Sequence, residues 1–255
     1  STGALRWRYD VGGPVFGTAN IVADGKGGRS VIVLSQTDGT VHRVDLASGD
    51  GVLTSRPTNR CDGAAAVGGD MIVYGNCDAA LYLISAGDLL VERKIELRSE
   101  GQVFAGVALA GGMIFAGDRS GRIYGADLAT GRILWVNEED RGDISSTPAA
   151  AGGRVIASSD DGTVSALDGE TGRTLWRTAV VGRPKEPVVT GGGQVVVSAG
   201  GALHLLKLGD GGTLWKKEVS DEITSPAVIA GRIFIGTDDG FVVAFASPKG
   251  EGKNP

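Results

Sequence analysis

Residues 158–176 read SSDDGTVSALDGETGRTLW, and the string has relatives along the whole chain. SQTDGTVHRVDLASG begins at Ser35, NCDAALYLISAG at Asn76, DRSGRIYGADLATGRILW at Asp118, SAGGALHLLKLGDGGTLW at Ser198 and GTDDGFVVAFA at Gly236. The turn position falls at Gly39, Ala79, Gly121, Gly162, Gly201 and Gly240, with spacings of 40, 42, 41, 39 and 39 residues. One period runs through the chain, and a fixed period of this length marks a repeat architecture. Upstream of each turn lies a short apolar run: VIVLS at 31–35, MIVYG at 71–75, MIFAG at 113–117, VIAS at 155–158, VVVS at 195–198 and IFIG at 233–236. Before most of these comes a Gly-rich turn and another apolar stretch. Each copy therefore reads as strand A, Gly turn, strand B, Asp-Gly turn, strand C, a D-x-x-[ST]-G turn, and strand D ending near Trp.

Four strands per forty residues predict an all-β fold, a six-bladed β-propeller of four-stranded antiparallel blades. The last copy stops after strand C, while the N-terminus begins TGALRW, which matches TGRILW and TGRTLW. Residues 4–10 are thus expected to pair with the last blade and close the ring, which would remove its exposed edges. The predicted organisation is one propeller domain over 1–247. Blade 1 spans about 14–57, blade 2 58–98, blade 3 99–138, blade 4 139–180, blade 5 181–219, and blade 6 220–247 plus 4–10. Residues 248–255, polar and rich in Gly and Lys, are expected to form a flexible tail.

Composition agrees with many short strands and tight turns: 43 Gly against 8 Pro. A formal charge of −5 and few aromatics argue against nucleic acid, whose phosphates call for a basic surface. No run of eighteen apolar residues exists that could span a membrane as a helix. The residues of the repeat have structural work to do. Asp45, Asp127 and Asp168 stand three residues before a Ser/Thr-Gly and can accept hydrogen bonds from turn amides. Trp7, Trp135, Trp176 and Trp215 end their copies and are expected to dock one blade on the next.

Chemistry-bearing residues are sparse. Cys61 and Cys77 flank the A–B hairpin of blade 2, where reflection about Gly68-Gly69 sets residue 61 opposite about 76. A disulfide is expected there, implying an oxidising compartment; two ordinary thiols are the alternative. His42 and His204 share one strand C position and read as packing residues. No phosphate-loop spacing and no G-x-S-x-G elbow occur. WD-repeat propellers share this period, but no copy ends in Trp-Asp.

In a four-stranded blade the B–C turn and the lead-in to strand A lie on one face. That face collects Asp38, Asp78, Asp118, Asp160, Asp161, Asp238 and Asp239 from the turns. Glu100, Asp140, Asp143, Asp221 and Glu222 join them from the lead-ins, interrupted by Arg60, Arg119, Arg141, Arg183 and Lys185. Arg29, Arg132, Arg154, Arg173 and Arg232 fall on the opposite face. The acidic rim is either a surface for a partner with basic groups or a solvated face.

The D-G-x-x-x-A-[LD]-D-x-x-T-G-x-x-L-W pattern resembles the pyrroloquinoline-quinone (PQQ) type propeller repeat, shared by quinoprotein dehydrogenases and the outer-membrane assembly lipoprotein BamB. The resemblance covers residues 1–247 and is weakest in blade 2, where Asp78-Ala79 replaces Asp-Gly and no Trp ends the copy. Quinoproteins of this kind have eight blades and hold PQQ beneath an adjacent-cysteine disulfide; this chain has no Cys-Cys pair, so no cofactor is expected. The hairpin ADGKGGRSV at 23–31 has some likeness to a calcium loop, but Ala23 stands where the first ligand Asp would be wanted.

The resemblance implies a non-catalytic scaffold for protein–protein interaction in the bacterial cell envelope, an assembly factor or an extracytoplasmic sensor domain. It would be periplasmic or extracellular, lipid-anchored or part of a membrane-anchored chain, and monomeric. The alternative is a small-molecule or cofactor site in the central funnel, built from Arg60, Asp62, Gln102, Asp143, Arg183, Glu186 and Glu222.

Overall fold

A computed structural model describes residues 3–23, 27–97, 101–139 and 142–246. The strands form six antiparallel sheets, each built from neighbours in sequence. Blade 1 holds β1 (Asn20–Ala23), β2 (Arg29–Leu34), β3 (Val41–Asp45) and β4 (Gly51–Thr54). Blade 2 holds β5 (Ala66–Gly68), β6 (Met71–Asn76), β7 (Ala80–Ser85) and β8 (Val91–Glu96). Blade 3 holds β9 (Ala108–Ala110), β10 (Met113–Gly117), β11 (Ile123–Asp127) and β12 (Ile133–Asn137). Blade 4 holds β13 (Ala149–Ala151), β14 (Arg154–Ser159), β15 (Thr163–Asp168) and β16 (Thr174–Ala179). Blade 5 holds β17 (Val188–Val189), β18 (Gln194–Ala199), β19 (Ala202–Lys207) and β20 (Thr213–Glu218). Blade 6 has three strands among the described residues, β21 (Ala227–Ile229), β22 (Arg232–Gly236) and β23 (Val242–Ala246). The short A strands stand side by side in the order β1, β5, β9, β13, β17.

Strands B and C of blades 2 to 5 are apolar on both faces because each is sandwiched between neighbouring blades. Ile156, Val164 and Ala166 face Val195, Val197 and Leu206 of blade 5 in one buried cluster. Val155, Ala157 and Leu167, on the opposite pleat, join Phe115, Ile123 and Trp135 of blade 3 in another.

Every C–D pair carries a register shift, at Arg43/Val44, Leu83/Ile84, Gly125/Ala126, Ala166/Leu167 and Leu205/Leu206. One extra residue in strand D re-aims the next side chain. Trp135 and Trp176 leave their own sheets this way and lie against the following blade, where their indole N–H groups donate to Gly169 O at 3.0 Å and Leu208 O at 2.9 Å. Each indole covers the glycine that ends the next D-x-x-T-G turn or its equivalent, Gly172 or Gly211. Those glycines have φ of +70° and +72°, and a Cβ on either would overlap the ring. Blade 2 has Arg93 at the Trp position; it covers Gly131 and donates to Ala129 O at 2.8 Å. Arg therefore substitutes for Trp by laying its stem on the glycine and offering an N–H to the same turn.

The turn that receives the indole is held by its aspartate. Asp168 Oδ1 accepts from Thr171 N and Thr171 Oγ1, both at 2.8 Å, and these bonds hold its carboxyl below the usual range. Asp127 does the same with Thr130, and Asp45 with the amides of Ser48 and Ala47.

Two expectations are corrected. Residues 4–10 form no strand and do not pair with β23. Instead Trp7 Nε1 donates to Leu46 O at 3.0 Å, the indole covers Gly49, and Tyr9 OH meets His42 Nδ1 at 3.1 Å. The segment is drawn onto the following blade by the contact its Trp makes. The Cys61–Cys77 disulfide is also not formed; both are free thiols. The backbone partner of Cys77 is Arg60, through Cys77 N to Arg60 O at 3.0 Å, so Cys61 is one residue out of register and its side chain points to the opposite pleat. Cys61 Sγ donates inward to Gly75 O at 2.8 Å, whereas Cys77 Sγ faces Asp62 Oδ2 at 3.9 Å. Burial pushes the Cys61 thiol up to about 12. Residues 24–26 of the 23–31 hairpin and the 248–255 tail lie outside the described residues.

Trp176→Ala should cost about 3–5 kcal/mol in urea unfolding, and Trp176→Phe a smaller amount set by the lost indole hydrogen bond, about 0.5–1.5 kcal/mol plus the change in shape; a loss under about 1 kcal/mol for alanine would show that the indole does not fasten blade 4 to blade 5. A thiol-disulfide reagent at pH 8 should label Cys77 quickly and Cys61 only after unfolding. Two unreactive cysteines that appear after reduction would instead show a bridge.

Candidate functional site: the turn face

The B–C turns and the lead-ins to strand A come together on one face, and the turn carboxylates build it. Asp118 is fully buried; its Oδ1 accepts from Ser120 N at 2.8 Å and Arg122 N at 3.0 Å, and its Oδ2 from Tyr124 OH at 2.8 Å. Asp38 Oδ1 accepts from Thr40 N at 3.0 Å, and Asp161 from Thr163 N at 2.9 Å and Gly142 N at 3.2 Å. Partial burial pushes both carboxyls up, but the turn hydrogen bonds outweigh it and hold them below the usual range. Asp238 accepts from Ser220 Oγ at 2.5 Å and Glu222 N at 3.1 Å. These four carboxylates shape the turns they sit in.

The lead-in residues expected in a funnel pair with protein neighbours, largely one blade away. Arg60 closes on Asp62 at 2.9 Å, and Gln36 of blade 1 donates to the same carboxylate at 2.6 Å. Burial raises the Asp62 pKa, and the Arg60 and Gln36 hydrogen bonds reverse that. Asp143 pairs with Arg119 at 3.0 Å; Arg183 pairs with Asp160 at 2.8 Å and donates to Ser145 Oγ at 2.7 Å. Lys185 reaches Glu222 at 3.3 Å, and Glu186 accepts from Ser225 Oγ. The Gln102 carbonyl accepts from Arg119 N at 3.0 Å. Contacts between blades therefore come from Gln36 with Asp62, Arg119 with Asp143, Asp160 with Arg183, Lys185 with Glu222 and Glu186 with Ser225, while the other rim carboxylates bond within their own blades. A cavity of about 720 Å³ lies elsewhere, between the outer strands of blades 2 and 3, with Lys94, Arg122, Tyr124 and Glu138 in its wall.

Each of Arg60, Arg119, Arg183 and Lys185 is matched by one carboxylate. Asp78, Asp221 and Asp239 are exposed and make no ion pair among the described residues, so the face carries excess negative charge. Asp78 accepts from Asn59 Nδ2 and Asp239 from Thr237 Oγ1. Glu100, Asp140 and Arg141 lie outside the described residues. Sequence reading missed the neutral members Gln36, Asn59, Ser145, Ser220 and Ser225. One signal was available, since Arg183–Ser145 and Ser225–Glu186 are 38 and 39 residues apart, one repeat period. Among the described residues no group of three or more His, Cys, Asp or Glu is placed to hold a metal ion. His42 and His204 are buried in the sheets, where desolvation lowers their pKa values.

The family model described as outer membrane protein assembly factor BamB matches residues 92–251. Among solved structures, BamB from Moraxella catarrhalis is 23% identical, with 96% of this chain and 73% of that chain covered and a TM-score of 0.76. The computationally designed Ika8 protein is 17% identical, with 91% of this chain and 70% of that chain covered and a TM-score of 0.78. No curated protein matches the chain. The two structures speak for the fold alone. The family model covers more than half of the residues, the half that carries the most regular repeats, and the chain belongs to the family of the outer membrane protein assembly factor BamB.

Proposed function

We propose that this chain is a non-catalytic, protein-binding propeller of the bacterial cell envelope that meets a partner through its turn face. The family match carries the reading, because it ties the repeats to an assembly factor. The face adds the chemistry of recognition. Among the described residues Arg60, Arg119, Arg183 and Lys185 are already paired, and the exposed carboxylates Asp78, Asp221 and Asp239 are available to a partner with basic groups. Rigid blades suit this role, since a repeat scaffold holds such groups at fixed spacing across a broad surface. A periplasmic location with a lipid or membrane anchor belongs to the same reading. No helix among the described residues is long and apolar enough to cross a membrane.

The test uses the immobilised chain against solubilised envelope proteins of the bacterium that encodes it. The wild type should retain a partner whose recovery falls as salt is raised from ~0.05 to ~0.5 M, because exposed charges are screened. Asp78→Lys with Asp221→Lys and Asp239→Lys should reduce recovery about ten-fold or more while the fold is kept and the thermal melt falls by only a few degrees. These exposed side chains make no ion pair among the described residues, and the hydrogen bonds of Asp78 and Asp239 lie at the surface. Equal recovery by the triple variant would overturn the acidic face as the binding surface.

A further inference from the structure

The residue after strand C holds one place in five blades. The amides of Leu46, Ala86, Leu128, Gly169 and Leu208 each donate to a carbonyl at the A–B hairpin of their own blade. Four of the five also lend their own carbonyl to a side chain from outside the blade. Trp7, Trp135 and Trp176 donate to Leu46 O, Gly169 O and Leu208 O, and Arg43 Nη1 donates to Ala86 O at 3.0 Å. Leu128 O is the exception: Arg93 passes it by for Ala129 O, and no other donor reaches it among the described residues.

The same exchange of Arg for Trp leaves space. Between blades 2 and 3, where an indole would lie, a cavity of about 390 Å³ remains, walled by Met71, Leu83, Gly112 and Leu128 beside Arg93. Glu92 and Asp127 place two carboxylates at its edge. Arg93 and Glu92 are both exposed, and neither makes an ion pair among the described residues. Leu90 and Val91, just before them in the chain, are 61% and 44% exposed. Both blades are fastened on their far sides, blade 2 to blade 1 through Arg43 and blade 3 to blade 4 through Trp135. The cavity is therefore a feature of an interior junction. An apolar berth with an unclaimed acceptor, an acidic edge and exposed apolar neighbours suits an aromatic ring carried on a chain.

We propose that this cavity binds the tryptophan side chain of a partner polypeptide, its indole N–H donating to Leu128 O as the chain's own indoles donate to Leu46 O, Gly169 O and Leu208 O. The Arg93 guanidinium offers a cation to the face of the ring. Glu92 and Asp127 favour a partner with basic residues beside its tryptophan. The site lies at the D-x-x-[ST]-G turns, across the blades from the B–C turns, so it stands or falls apart from the acidic face proposed above.

The test titrates acetyl-Lys-Trp-Lys-amide into the isotope-labelled chain and follows the backbone amides by NMR. Amides of residues 92–94 and 128–131 should shift and saturate at millimolar peptide. Methylating the indole nitrogen should weaken binding about three-fold or more by removing the donated hydrogen, and phenylalanine in place of tryptophan about ten-fold. Arg93→Trp fills the berth with the chain's own ring and should abolish the shifts while raising the melt. Glu92→Lys, at an exposed position, should weaken the peptide about three-fold and N-acetyltryptophanamide, which carries no cation, less than about two-fold. The inference is overturned by an absence of shifts at 128–131, by shifts retained in folded Arg93→Trp, by unchanged peptide affinity in Glu92→Lys, or by equal binding of the phenylalanine peptide. Free indole binding as tightly as the peptide would overturn it too, since the cavity would then be a small-molecule site.

Discussion

The fold depends on one contact made four times among the described residues: a long side chain from an outer strand, or in the case of Trp7 from the N-terminal segment, lies on a positive-φ glycine of the next blade and donates an N–H to a turn carbonyl. Trp7, Arg93, Trp135 and Trp176 supply the donors; Gly49, Gly131, Gly172 and Gly211 supply the seats. A repeat of forty residues cannot bury both faces of its sheet alone, so stability has to come from the neighbour. The docking contact sets how that neighbour sits. Aspartates such as Asp168 hold the receiving turn, and the bulge before Trp aims the indole away from its own sheet.

This arrangement leaves a division of labour between the two faces of the blades. The D-x-x-[ST]-G turns are occupied with fastening and present carboxylates already bound to their own amides. On the B–C side, ion pairs such as Asp160 with Arg183 and Asp143 with Arg119 tie one blade to the next. Surface pairs of this kind contribute little each to stability, and their value here is to hold the face in a fixed arrangement. A small set of exposed carboxylates makes no ion pair among the described residues, and that set is the surface proposed above for a partner.

Much of the fold was legible because the period is written in residues with strong local preferences. Gly162 and Gly240 punctuate turns, and runs such as VIAS and VVVS alternate with them. The position of Trp was legible, and its purpose followed from its recurrence. The bulge was not, although two adjacent apolar residues in Leu134-Trp135 and Leu214-Trp215 break the strand alternation that would have signalled it. Parity explains the cysteines: reflection about a hairpin places Cys61 and Cys77 near one another, and a single residue of register puts their side chains on opposite pleats. Residues 4–10 match a strand D by sequence, but sequence cannot say which sheet such a strand completes. Asp160, Asp238 and Arg183 were recognised by type, while their partners came from the neighbouring lead-ins and needed the structure.

Trp215 is the built-in control for the docking account. It lies edge-on to Phe245 at 5.3 Å, and its indole N–H has no acceptor among the described residues. Hydrogen exchange of the four indole N–H groups, followed by nitrogen-edited NMR on the native chain, therefore tests the central contact directly. The indoles of Trp7, Trp135 and Trp176 should exchange slowly and that of Trp215 about ten-fold faster or more, since protection follows hydrogen bonding and packing. A single common rate, or exchange of Trp135 and Trp176 as fast as in the unfolded chain, would contradict the claim that these contacts fasten the blades.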